Sequence, residues 1–177
     1  MAFLDSIRNF FVPTETREFE FVVPAPMMNY EIRPLTEKHQ KEVMRLNLRC
    51  FLNGENYTKH TFAYLLNEPN TLSYRIVTPT DEMVGFVFVM TDDQGTGHIT
   101  TIGIAPDHRR RGLAENLLSH TENALRKREI STVMLEVRVS NIAAQSLYRG
   151  LDYAIVQRIN KYYNNGEDCF LMVKSLY

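Results

Sequence analysis

The fold is decided by the stretch Ile102-Gly103-Ile104-Ala105-Pro106-Asp107-His108-Arg109-Arg110-Arg111-Gly112-Leu113-Ala114, in which a strand ends in a basic loop that opens a helix. The N–H groups of a first helical turn have no intrahelical acceptor and lie at the positive end of the helix dipole. Gly112 lets a diphosphate approach the backbone, and three arginines add planar cationic donors. The stretch therefore predicts an anion site, with a solvated basic loop that caps a helix as the alternative.

Outward from this stretch, hydrophobic periodicity and turn residues predict an α/β domain. Before it we expect a strand at 30–33, helices at 36–50 and 58–66, and strands at 72–77, 83–90 and 98–104. The last three strands are joined by short connections rich in turn residues, so they are expected to pair antiparallel.

After the loop we expect a helix at 113–128, a strand at 132–137, a helix that Asn141 caps, and strands at 153–162 and 168–174. Gly150 is expected to end the second helix in a left-handed conformation. Asn165-Gly166 is a strong hairpin signal between the last two strands. The prediction is a mixed, mostly antiparallel sheet flanked by helices, in the order β-α-α-β-β-β-α-β-α-β-β.

Residues 1–28 differ from the regular pattern of 29–177, so we predict an N-terminal appendage and one domain. An apolar stripe of helical spacing begins the appendage, and prolines at 13, 24 and 26 interrupt any regular continuation. A helix packed on its own domain, a dimer contact and a partner-docking segment all remain open for the stripe, and a membrane-surface role is the least favoured because basic residues are few.

Composition excludes several classes of protein. With 20 Lys and Arg against 21 Asp and Glu, the chain lacks the charge excess of a protein that coats nucleic acid. Cys50 and Cys169 predict neither a disulfide framework nor a zinc site, and no metal is expected. No apolar run approaches the roughly 20 residues that cross a bilayer, so we expect a cytoplasmic protein without a membrane partner. The oligomeric state remains open.

Glu136 is unusual because it lies in an apolar strand. Alternation places Met134, Glu136 and Arg138 on one face of this strand and its valines and Leu135 on the other. A carboxylate in such surroundings is either paired, for example with Arg138, or used in chemistry. Tyr148 lies seven residues after Asn141, and its position alone is more typical of a core residue than of a catalyst.

The element order and Arg109-Arg110-Arg111-Gly112-Leu113-Ala114 resemble the GNAT superfamily of acyl-CoA transferases, whose signature is Gln/Arg-x-x-Gly-x-Gly/Ala. The resemblance implies acetyl-CoA as cosubstrate, with its pyrophosphate on the backbone N–H groups of 110–114 and its pantetheine arm along 102–104 like an added strand. The implied cofactor residues are Ile102, Gly103, Ile104, Arg109, Arg110, Arg111, Gly112, Leu113, Ala114 and, on the pantetheine arm, Asn141.

The stretch from Leu135 to Tyr148, with the later Tyr162 and Tyr163, resembles the RimI-type Nα-acetyltransferases. This resemblance implies that Glu136 acts as general base, that Tyr148 acts as general acid toward the CoA thiolate, and that both later tyrosines close over a peptide N-terminus. For the two tyrosines, aromatic packing at a sheet edge is the alternative. Asp152 departs from the family, which usually has glycine there.

We therefore expect an enzyme that moves acetyl from acetyl-CoA to the α-amine of a protein or peptide, directly within a ternary complex. A GNAT enzyme for a small amine or a lysine side chain is one alternative. A non-catalytic acyl-CoA-binding module is another, although such a module needs neither Glu136 nor Tyr148 for proton transfer.

Overall fold

The computed structural model describes residues 11–12, 22–51 and 56–177, with only the backbone at 11, 12 and 56. The apolar stripe of the appendage therefore lies, apart from that short backbone piece, outside the described residues. The elements in chain order are β1 (Phe11–Val12), β2 (Glu31–Pro34), α1 (Gln40–Cys50), β3 (Asn56–Tyr57), α2 (Lys59–Asn67), β4 (Thr71–Val77), β5 (Met83–Thr91), β6 (Thr96–Ile104), α3 (Leu113–Arg126), β7 (Thr132–Arg138), α4 (Ile142–Gly150), β8 (Ala154–Ile159) and β9 (Cys169–Ser175). Short 3-10 turns precede α1 and α3.

Seven strands form the main sheet, in the spatial order β2-β4-β5-β6-β7-β9-β8. Every neighbouring pair is antiparallel except β6 and β7, which α3 connects as a crossover. The predicted α/β class and the predicted element order of this sheet are confirmed. The short strands β1 and β3 form a separate two-stranded sheet.

The core is built around β5, whose residues 83–89 are all buried. A strand that is buried at consecutive positions must be covered on both faces. Helices α1 and α3 both pack against it and against the adjacent β6. The helix-covered core therefore includes β6, the strand that leads into the basic loop.

The turn after α4 differs from the sequence-based prediction. Gly150 is the last helical residue, and the left-handed conformation is taken instead by Asp152, at φ +67°. Tyr153 donates its N–H to the Tyr148 carbonyl at 3.0 Å and closes the turn two residues later than expected. The chain thus places an aspartate at the position that needs a left-handed residue, as glycine does in the family it resembles.

The connection from β8 to β9 also departs from expectation. Strand β8 ends at Ile159 instead of residue 162, because Lys161 has φ +50° and donates its N–H to the Asp168 carboxylate at 2.8 Å. Gly166 adopts φ +81°, as the hairpin signal predicts. Tyr162 and Tyr163 consequently lie in the connecting segment and not in a strand.

Candidate active site

A cleft opens where β6 and β7 diverge. The two strands pair only through residues 96–98 and 132–134, and beyond this point a cavity of about 720 Å³ is lined by both strands, by the start of α3 and by α4. Such a volume suits an extended small-molecule ligand. The cleft therefore begins at a parallel strand pair and runs toward the N-terminus of α3.

The open edge of β6 forms one wall of the cleft. Its other edge pairs with β5 up to Ile104. A register shift at Thr100 forms a bulge in β6, and the Tyr57 hydroxyl donates to the Thr100 carbonyl at 2.8 Å. Ile102, Gly103 and Ile104 line the cavity, so the segment expected to hold pantetheine does lie along it.

The basic loop closes one end of the cleft. Gly112 precedes the first turn of α3 with φ +73°, and Arg110 has φ +63°. Both residues line the cavity together with Leu113 and Ala114. The loop backbone and the start of α3 therefore border the space in which an anion is expected.

The three arginines do not act alike, contrary to the expectation of three donors facing one anion. Arg109 lines the cavity, but its guanidinium donates to the carbonyls of Ile104 and Cys50, each at 3.0 Å. Arg111 is not among the lining residues, and its guanidinium donates to the carbonyls of Ala25 and Pro26. Arg110 also lines the cavity, and it is exposed.

Glu136 lies on the cleft wall formed by β7 and is paired with a histidine. The burial of β7 alternates as predicted, with Val133, Leu135 and Val137 buried. The Glu136 Oε2 atom is 2.7 Å from Nε2 of His98, and the two side chains are 7% and 1% exposed. The other carboxylate oxygen of Glu136 is buried and has no hydrogen-bond partner among the described residues.

Arg138, which the sequence suggested as a partner of Glu136, pairs with Glu167 at 2.8 Å. His98 was not among the site residues predicted from the sequence. The available signal was a histidine near the start of β6, the strand that leads into the basic loop. Its pairing position opposite Met134, two residues before Glu136, became visible only in the sheet register.

Tyr148 reaches the cleft from α4. Its side chain is buried, and burial raises the pKa of its phenol well above the ordinary value. Its ring packs against Tyr153 with 5.7 Å between centroids, and the Tyr153 hydroxyl donates to the buried Glu122 at 2.9 Å. The Tyr148 phenol therefore keeps its proton at neutral pH. Asn141 caps α4 by accepting the Ala144 N–H at 3.1 Å, and it also lines the cavity.

Tyr162 and Tyr163 form an aromatic corner on the cleft. Their rings meet edge to face at 5.1 Å, and both line the cavity. The Arg138 guanidinium lies 3.6 Å above the Tyr163 ring, and its Glu167 partner also accepts the Ser140 N–H. Although burial acts in the opposite direction, the hydrogen bonds from Ser140 and Arg138 lower the pKa of Glu167.

The two cysteines are free thiols, and burial raises the pKa of Cys50 to about 11 and that of Cys169 to about 12. Both therefore remain protonated at neutral pH, which disfavours an acyl-cysteine intermediate. In the described ranges, no group of three potential metal-binding side chains comes together. No helix there has the length and apolar character needed to span a membrane.

An acyl-CoA transferase can bind its cosubstrate where two paired strands separate beside a helix N-terminus. The extended arm of the cofactor lies along the open strand, and the helix N-terminus binds the phosphates of the cofactor. The model of the acetyltransferase (GNAT) family matches residues 40–153, and the chain belongs to this family. It is an acetyl-CoA-dependent N-acetyltransferase.

Two relatives and one solved structure agree with this assignment. The chain is 38% identical to the N-alpha-acetyltransferase daf-31 of Caenorhabditis elegans over 137 residues, which are 73% of this chain and 74% of that protein. It is 33% identical to the N-terminal acetyltransferase A complex catalytic subunit NAA10 of Arabidopsis thaliana, covering 82% and 77%. The crystal structure of the ribosomal-protein-S18-alanine N-acetyltransferase from Escherichia coli is similar, with a TM-score of 0.76 and 26% identity, covering 84% and 94%.

Proposed function

We propose that the protein acetylates the α-amine of protein or peptide N-termini, with acetyl-CoA as donor and direct transfer in a ternary complex. The observation that carries this proposal is that a paired carboxylate, Glu136, and a protonated phenol, Tyr148, line the same cleft as the basic loop. The names of the relatives support the class of acceptor, since daf-31 and NAA10 are both described as acetyltransferases of α-amines or N-termini.

The cofactor is assigned to the wall formed by β6 and the start of α3. The pyrophosphate is placed on the N–H groups of 110–114 and on the Arg110 guanidinium, with Gly112 leaving room for it. Arg111 contributes its backbone N–H, while the guanidinium groups of Arg109 and Arg111 hold the surrounding segments. Asn141 and the 102–104 edge are assigned to the pantetheine arm.

Acetyl transfer needs a neutral amine, a polarised thioester and a proton for the departing thiolate. The amine nitrogen forms a bond to the acetyl carbon as the carbon–sulfur bond breaks. Glu136, oriented by His98, takes the proton that the amine loses, directly or through a water. Tyr148 gives a proton to the thiolate, so one proton passes in total from amine to thiol.

Tyr162 and Tyr163 are assigned to the acceptor. Their edge-to-face rings form a narrow wall, and Arg138 with Glu167 fixes the position of the second ring. The extended backbone at a chain terminus passes such a wall with one strand, whereas a mid-chain lysine brings backbone on both sides. This supports an α-amine over a lysine side chain.

We place the catalytic domain at residues 29–177, which contain the matched region. The two free thiols agree with a reducing compartment, and we propose a cytoplasmic location.

The test is an acetyl-transfer assay with three acceptors: a peptide with a free N-terminal alanine, the same peptide with a blocked terminus and an internal lysine, and a small diamine. We expect the free terminus to react fastest. Tyr162→Ala and Tyr163→Ala should raise the KM for that peptide more than the KM for acetyl-CoA, and Tyr177→Ala, on an exposed tyrosine outside the cleft, should change neither. Faster reaction of the blocked peptide or the diamine would contradict the acceptor assignment, and acetyl-CoA binding without turnover would indicate a non-catalytic module.

A further inference from the structure

The segment 25–30, which we call the strap, is bonded directly to the basic loop. The Arg111 Nη1 atom donates to the Pro26 carbonyl at 2.8 Å and to the Tyr30 hydroxyl oxygen at 2.7 Å, and its Nη2 atom donates to the Ala25 carbonyl. In the opposite direction, the Ala25 N–H donates to the Asp107 carbonyl at 2.9 Å. The Arg111 guanidinium, which belongs to the family motif, therefore bonds to a segment that precedes the matched region.

The contact continues through Tyr30 to a buried histidine. Because Arg111 donates to the Tyr30 oxygen, the hydroxyl proton of Tyr30 is left to point at Nδ1 of His108, 2.9 Å away. His108 is 4% exposed, and burial lowers its pKa, which favours a neutral ring that can accept this proton at Nδ1. Asp107 is in turn paired with Arg49 at the end of α1, at 2.8 Å. The strap leads directly into β2, which begins at Glu31, so it ties the loop to the main sheet.

The loop needs such support because its backbone is conformationally costly. Arg110 has a side chain and yet lies in the left-handed region, next to an Arg111 whose neighbour Gly112 is also left-handed. The N–H groups that bind a diphosphate must converge before the ligand arrives, since ordering them on binding would weaken affinity. The strap is bonded to the loop on both sides of Arg110, at Asp107 and at Arg111.

We propose that Arg111 is a positioning residue for acetyl-CoA, which acts through the strap to hold the pyrophosphate loop in its binding conformation. The inference rests on the proposed function. It makes part of the N-terminal segment a component of the cofactor site, and it assigns the Arg111 guanidinium no direct contact with the phosphates.

The test compares two acetyl donors in the full chain. Acetyl-CoA carries the diphosphate, whereas S-acetylpantetheine ends before it. Arg111→Gln should raise the KM for acetyl-CoA about tenfold, and Tyr30→Phe, which removes the hydroxyl bonded to Arg111 and His108, about threefold. Neither should alter the KM for S-acetylpantetheine or kcat at saturation. Arg128→Gln removes an exposed arginine after α3 and serves as the matched control, with parental values expected for both donors.

The double variant of Arg111→Gln and Tyr30→Phe should have the same KM for acetyl-CoA as Arg111→Gln alone, because both changes break the same hydrogen-bond network. Arg111→Lys keeps the charge and loses the planar fork, so it should also raise the KM for acetyl-CoA. Three outcomes would contradict the proposed role of the strap. They are a parental KM for acetyl-CoA in Arg111→Lys, additive increases of that KM in the double variant, and equal increases of the KM for both donors. A parent protein that does not use acetyl-CoA would instead contradict the proposed function. If the parent is active and Arg111→Gln keeps the parental KM for acetyl-CoA, only the proposed role of the strap is refuted.

Discussion

Replacing Tyr148 by phenylalanine tests the general acid with the smallest possible change. The ring contact with Tyr153, 5.7 Å between centroids, is kept, and only the hydroxyl oxygen is lost. We therefore expect the free energy of unfolding to change by no more than about 1 kcal/mol. The cofactor loop and the Glu136–His98 pair lie on other elements and remain in place.

The expected loss is in turnover. A general acid contributes about 10²–10⁴-fold, so kcat should fall by a factor in this range, or about 2.7–5.5 kcal/mol in the barrier. The KM for acetyl-CoA should stay within about twofold, because the phenol is assigned a proton transfer and not a binding contact. Release of free CoA thiol, followed at saturating peptide, measures both quantities.

The pH dependence provides a second readout. Because burial raises the pKa of Tyr148 above its ordinary 10.0, the parent should lose no turnover through this group as pH rises from 7 to 9. Tyr74→Phe makes the same chemical change on β4, outside the cleft, and should leave kcat unaltered. Parental kcat in Tyr148→Phe, or a loss confined to the KM for acetyl-CoA, would refute the assignment of Tyr148 as the acid.

Three further outcomes follow from buried or strained groups. Tyr153→Phe removes a donor from the buried Glu122 and should lower the free energy of unfolding by about 1–3 kcal/mol in urea titration, with kcat within about threefold of the parent. Asp152→Gly relieves a left-handed aspartate and should raise the same free energy by up to about 1 kcal/mol; a lower value would contradict the strain. His108 has a pKa below its ordinary 6.5 in the folded state, so the unfolded chain takes up the proton first and stability falls as pH drops through 6.5. His108→Asn keeps an acceptor for Tyr30 and should flatten this fall between pH 7.5 and 5.5, as measured by urea midpoints.

The element order was predictable because each element carries a local signal. Thr58 caps α2 by accepting the Thr61 N–H, and Gly166 turns the last connection with a positive φ. The errors occurred where two residues compete for one backbone role. Gly150 does end α4, but the left-handed residue is Asp152, two positions later, and Tyr153 then packs beside Tyr148. A single sequence does not weigh tertiary packing against local preference.

The sequence predicts which kinds of side chain line the candidate site, but it does not predict which of them pair with each other. Alternation along β7 places Glu136 on the cleft side and buries its neighbours, and this requires only a period of two. Its partner depends on which strand lies next to β7 and in which register. Arg138 is the nearer cation in sequence, but it lies beyond Glu136 on the same face and meets Glu167, whereas His98 comes from β6, 38 residues away.

The basic loop shows why a motif does not assign roles to its own side chains. Arg109, Arg110 and Arg111 are identical in chemistry and consecutive in sequence, yet Arg109 and Arg111 bond to different parts of the molecule. The left-handed turn at Arg110 sends the guanidinium groups on either side of it in different directions, one toward the carbonyls of Ile104 and Cys50 and the other toward the strap. A charge count assigns all three to the ligand, whereas the structure bonds two of the guanidinium groups to protein carbonyls. The N-terminal segment has a sequence pattern unlike that of the domain, yet its carbonyls accept the hydrogen bonds that the Arg111 guanidinium donates.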